Sequence, residues 1–139
     1  MFKKSKIISS SLVAAILLTS GLSVALADTE YVTFGTTYQS FDLKVPGNNV
    51  NNSEGETGSQ TKTTSGANAG LQINSTGGAS LDVRTESPNG NGSWKDGVTS
   101  SVTYGDIDSP QLSGSSVHLQ FSTGLFQGPV LITGNWRSN

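Results

Sequence analysis

Hydrophobic side chains recur at every second position along most of this chain. In the stretch SFDLKV, Phe41, Leu43 and Val45 share one face while Asp42 and Lys44 take the other. Leu71 pairs with Ile73 in GLQIN, and Leu81 with Val83 in SLDVR, opposite Asp82 and Arg84. Val98, Val102 and Tyr104 fall on one side of GVTSSVTY, and Val117, Leu119 and Phe121 on one side of SVHLQF. Val130, Ile132, Gly134 and Trp136 align in PVLITGNW. Side chains of an extended backbone alternate between faces, so a period of two marks half-buried strands. YVTF near residue 31 and QTKTT near residue 61 are weaker instances.

Between these runs lie VPGNN, NSTGG, SPNGNG and TGLFQG, rich in residues that accept turn dihedrals. Helix signals are almost missing. Gly, Ser, Thr and Asn dominate, and each disfavours a helix interior through backbone entropy, local hydrogen bonding or β-branching. About eight short strands, each apolar on one face, predict an all-β fold: an antiparallel β-sandwich, jelly-roll-like. Residues 47–59, GNNVNNSEGETGS, read as a long mobile loop. Period two carries Trp136 to the same face as Val130 and Ile132, which makes it a core residue. Gly134 between them leaves space on that face for a neighbouring ring.

The first residues change where this fold is expected to operate. Lys3, Lys4 and Lys6 precede an apolar stretch from Ile7 to Val24, and Ala25-Leu26-Ala27 presents small residues to a signal peptidase. A signal peptide over 1–27, cleaved after Ala27, predicts a secreted, extracellular domain over 28–139 with no transmembrane segment. The whole chain carries eight basic and ten acidic residues. Losing the three leader lysines leaves five against ten, a net charge of about −5. That balance argues against a nucleic-acid partner, whose phosphates need a basic surface, and against electrostatic docking on anionic lipid. Val, Ile, Leu and Phe make up only about a fifth of residues 28–139. There is no cysteine, so the lean core has no disulfide to support it.

Candidate chemistry is sparse. The single histidine, His118, lies opposite the Val117, Leu119 and Phe121 face and is expected to point to solvent beside Ser116 and Gln120. A small hydrolase using His118 needs a hydroxyl nucleophile activated by that imidazole, and no nucleophile-elbow motif is present. Asp106 and Asp108 in YGDIDSP are expected in a turn, where two carboxylates and nearby carbonyls suit Ca²⁺; the dense Asp/Asn repeat of a dedicated calcium loop is missing. Glu54 and Glu56 lie in the polar loop and are weaker metal candidates. Leu125 and Phe126 sit between Gly124 and Gly128 at the expected tip of a hairpin. Two readings compete there: a contact surface for a partner, or side chains folded back over the end of the sandwich near Trp136. Tyr31, Phe34 and Tyr38 raise the same choice.

Taken together, FDLKVP, a long polar loop, TKTTS, a short strand before a Gly-Gly pair, and the closing VLITGNWRSN resemble a family of small secreted proteins of Gram-positive bacteria. Its members end in a valine-rich strand followed by Gly-x-Trp and a few polar residues. The resemblance implies a secreted, cysteine-poor β-domain, loosely associated with bacteriocin-type secretion loci. It carries no functional residue over. The expected activity is therefore non-enzymatic binding, bacteriocin-like or directed at a cell-envelope component or another protein, through Leu125 and Phe126. A structural role at the cell surface or in the extracellular matrix, through self-association, is the alternative.

Overall fold

A computed structural model describes residues 35–139. The expected signal peptide and its cleavage site, Tyr31 and Phe34 lie outside the described residues. Eight strands form: β1 (Gln39–Val45), β2 (Gln60–Thr61), β3 (Ala69–Ser75), β4 (Leu81–Glu86), β5 (Lys95–Val98), β6 (Val102–Ile107), β7 (Ser116–Thr123) and β8 (Val130–Arg137). They make two four-stranded antiparallel sheets, ordered β1-β8-β3-β6 and β2-β7-β4-β5.

The pairing is nested. The chain behaves as one long antiparallel ribbon in which β1 meets β8, β2 meets β7, β3 meets β6 and β4 meets β5. Rolling that ribbon brings β8 against β3 and β7 against β4, which is the jelly-roll arrangement. Because successive strands run in opposite directions, residues 46–53, 76–80, 99–101 and 124–129 emerge at one end of the sandwich, while residues 56–59 run back along β7. Residues 62–68, 87–94 and 108–115 emerge at the other. Among the described residues no helix is long and apolar enough to cross a membrane.

The apolar faces predicted by alternation meet between the sheets. Phe41, Leu71, Ile73, Ile132 and Trp136 from one sheet pack on Leu81, Val83, Val117, Leu119 and Phe121 from the other. The rings of Phe41 and Phe121 lie 5.5 Å apart, tilted by 42°, within the favoured range for an aromatic pair. Trp136 is 1% exposed. The space beside Gly134 is filled by Phe41, its partner in register on β1. A Cβ at position 134 would lie 2.7 Å from Phe41 Cζ and would also meet the carbonyl oxygen of Gln72. Gly134→Ala is therefore expected to lower the unfolding free energy by about 1–3 kcal/mol, the usual cost of overpacking, measured by urea denaturation.

Three expectations change. GVTSSVTY is not one strand. β5 ends at Val98, the backbone reverses with Ser101 at φ 62°, and β6 begins at Val102 in the opposite sheet. Val98 is buried, Val102 exposed and Tyr104 half-buried, so they do not share a face. Residues 47–59 are also more structured than a loop. Asn52 Oδ1 accepts the Glu54 N–H at 3.0 Å and caps a short 3₁₀ turn, Ser53–Gly55. Thr57 then donates its N–H to the Leu119 carbonyl at 3.0 Å and accepts the Leu119 N–H on Oγ1 at 2.9 Å. Finally, residues 124–129 join β7 to β8, which belong to different sheets. The connection is an arch over the end of the sandwich rather than a hairpin tip.

Candidate functional site

Two features stand apart from the core, one on a sheet face and one at an end. On the outer face of the second sheet, β4 presents Arg84 and Glu86, and β7 presents His118 and Gln120. Antiparallel register sets Glu86 directly opposite His118 and Arg84 opposite Gln120. On the far side of β7, Glu56 forms a single bridge to Gln120, so its side chain arrives diagonally across from His118. The imidazole is thus flanked by carboxylates from two separate segments. Its Nε2 lies 3.6 Å from Glu56 Oε2 and 3.4 Å from Glu86 Oε2.

That nitrogen has lost contact with solvent and hydrogen-bonds to nothing. His118 was expected to be solvated beside Ser116 and Gln120; it is half-buried, and Gln120 is buried. The reason lies in the 47–57 segment, which covers β7. Gly55 packs against the Gln120 side chain, and Ser122 donates its hydroxyl to Asn49 Oδ1 at 2.7 Å. The other oxygen of Glu86 is fixed by Arg84, whose Nε and Nη2 donate to Oε1 at 2.8 and 2.5 Å. The Arg84 guanidinium in turn stacks 4.6 Å above the Trp94 ring. The arrangement concentrates carboxylate oxygens around one ring nitrogen.

The second feature is the end formed by residues 46–53, 76–80, 99–101 and 124–129. Asn48 N–H donates to the Gln127 carbonyl at 2.8 Å, and Thr76 N–H to Ser100 Oγ at 2.9 Å. These four loops contain no charged residue. Of six exposed large hydrophobic residues among the described residues, five lie at or beside this end: Val50, Val102, Leu125, Phe126 and Leu131. Leu125 is 69% and Phe126 97% exposed, so neither folds back over Trp136. The Gln127 N–H closes a turn onto the Gly124 carbonyl at 3.2 Å, with Phe126 at φ 63°. Glycine is the ordinary occupant of that turn position, and a bulky side chain there is strained.

Of the two aspartates expected in a turn, Asp108 lies in the connection after β6 and Asp106 does not. Asp106 lies within β6 rather than in a turn. Its Oδ2 accepts from Lys95 Nζ at 2.8 Å, and that bond holds its carboxyl below the usual range. Asp108 Oδ2 accepts the Ser93 N–H at 2.7 Å. Each carboxylate thus has its own donor. Side chains of the types that ligate metals converge, among the described residues, at Glu56, Glu86 and His118. Sequence reading singled out His118 and, as a weaker metal candidate, Glu56; it passed over Glu86 and had no signal for their convergence, since the contacts depend on the return of residues 47–57 along β7.

No family model, curated protein or solved structure matches the chain.

Proposed function

We propose that this is a secreted, non-enzymatic binding protein that docks on a cell-envelope component through the uncharged end of its jelly roll. The observation that carries this reading is Phe126: almost fully exposed, at a backbone angle that disfavours it, among four loops without charge. A strained, exposed aromatic residue is poorly explained by stability. The absence of charge at this end also matters. It lets a domain of net negative charge approach an acidic envelope without like charges meeting at the contact.

Burying a large apolar side chain is worth about 1.5–3 kcal/mol. Phe126→Ser is therefore expected to weaken binding of labelled protein to intact Gram-positive cells or purified envelope fractions by about 10- to 100-fold. Leu125→Ser is expected to act in the same direction. Phe126→Gly separates binding from folding: it relieves the positive φ, so its unfolding midpoint stays level or rises while binding falls. Envelope binding that is unchanged in folded Leu125→Ser and Phe126→Ser proteins sinks the proposal.

A further inference from the structure

We infer that Glu56, Glu86 and His118 form a binding site for a divalent transition ion of the Zn²⁺ class, independent of the apolar end. The argument begins with His118 Nε2. A ring nitrogen shut off from solvent ordinarily finds a hydrogen-bond partner. Here the nitrogen is buried, makes no hydrogen bond and faces carboxylate oxygens on two sides.

The nitrogen-to-oxygen distances fit a metal placed between His118 and each glutamate. Zn²⁺ binds imidazole nitrogen and carboxylate oxygen at about 2.0–2.2 Å, which at tetrahedral angles separates ligand atoms by roughly 3.3–3.6 Å. The two nitrogen-to-oxygen separations are 3.4 and 3.6 Å, and all three ligand atoms lie within 4.8 Å of one another. The donor set is one imidazole and two carboxylates, which suits zinc-like ions. Calcium and magnesium prefer oxygen alone. Three protein ligands leave a fourth tetrahedral position for water.

The surroundings are those of a supported site. Arg84 occupies Glu86 Oε1 and so directs Oε2 toward His118, as partners of metal ligands do. Its positive charge opposes a cation, yet it is drawn away over Trp94, and two carboxylates outnumber it. Glu56 is held by the backbone pairing of the next residue, Thr57, with Leu119. A bound ion would therefore tie the 53–57 segment to β4 across β7, joining three stretches distant in sequence.

His118 is the only histidine in the chain, so its imidazole signals report the site without ambiguity. Zn²⁺ added to the ¹⁵N-labelled protein at neutral pH is expected to bind one to one, shift the His118 Nε2 resonance and raise the thermal midpoint. Glu56→Gln and Glu86→Gln are each expected to weaken Zn²⁺ binding in calorimetry by about tenfold or more. An unshifted His118 resonance with Zn²⁺ in excess overturns the inference, and this measurement needs no variant to fold. So does Zn²⁺ affinity that both glutamate variants retain in full.

Discussion

Trp136→Ala is expected to lower the unfolding free energy by about 3–5 kcal/mol, the range for deleting a buried indole. The size of the effect follows from where the ring sits. β8 is an interior strand, paired with β1 on one side and β3 on the other, and Trp136 lies in register with both Gln39 and Leu71. No strand at that point can move inward without breaking a ladder, so the space left by the indole stays open. A typical domain has only about 5–15 kcal/mol in reserve, and this one has few large apolar residues and no disulfide. Urea denaturation followed by far-ultraviolet circular dichroism measures the loss. A change below about 1 kcal/mol contradicts the packing described.

Lys62→Met is expected to cost about 2–5 kcal/mol, although it exchanges a charged residue for an apolar one of similar length. Lys62 follows the two-residue β2 and turns inward at the end opposite the apolar loops. It is 1% exposed and, among the described residues, forms no salt bridge. Nζ donates to the Ala67 carbonyl at 2.5 Å, to Ser109 Oγ at 2.9 Å and to the Ser138 carbonyl at 2.9 Å. Three acceptors match the three N–H bonds of an ammonium group. A methionine leaves both carbonyls without that donor in a closed space.

The same burial gives Lys62 a signature in pH. Desolvation pushes its pKa below the ordinary 10.5. Between the folded value and 10.5 the unfolded chain therefore binds more protons than the folded one, and stability rises with pH. The penalty on the charged amine is fully present below the folded pKa and is relieved as pH climbs through it. The gap in unfolding free energy between the native protein and Lys62→Met is expected to widen toward alkaline pH. Paired urea titrations from neutral pH upward test this, and a gap that narrows contradicts the assignment.

How much of this was legible in sequence depended on how far apart the interacting residues lie. The alternation in SVHLQF and PVLITGNW was enough to assign Val117, Leu119, Phe121, Ile132 and Trp136 to the core, because a strand's two faces are a local property. Gly134 announced a neighbouring ring, and register supplied Phe41. The split of GVTSSVTY was hidden, since no glycine or proline marks the reversal and Ser101 takes the positive φ. Nothing in the sequence sets Lys62 apart, because its acceptors come from residues 67, 109 and 138. His118 looked exposed because nothing local shows that residues 47–57 return to cover β7. The exposure of Leu125 and Phe126 was open to either reading until the arch between sheets was seen.

The nested pairing also governs the order of events as the chain is made. β4 and β5 are near neighbours, but β1 pairs with β8, some ninety residues further along. Contacts so distant must overcome the entropy of closing long loops, and proteins built from them reach their final form on the slow timescale of milliseconds to seconds. A nascent chain lacking residues 130–137 lacks one of the two central strands of its first sheet and leaves β1 unjoined to β3. The roll therefore cannot shut before β8 has been made.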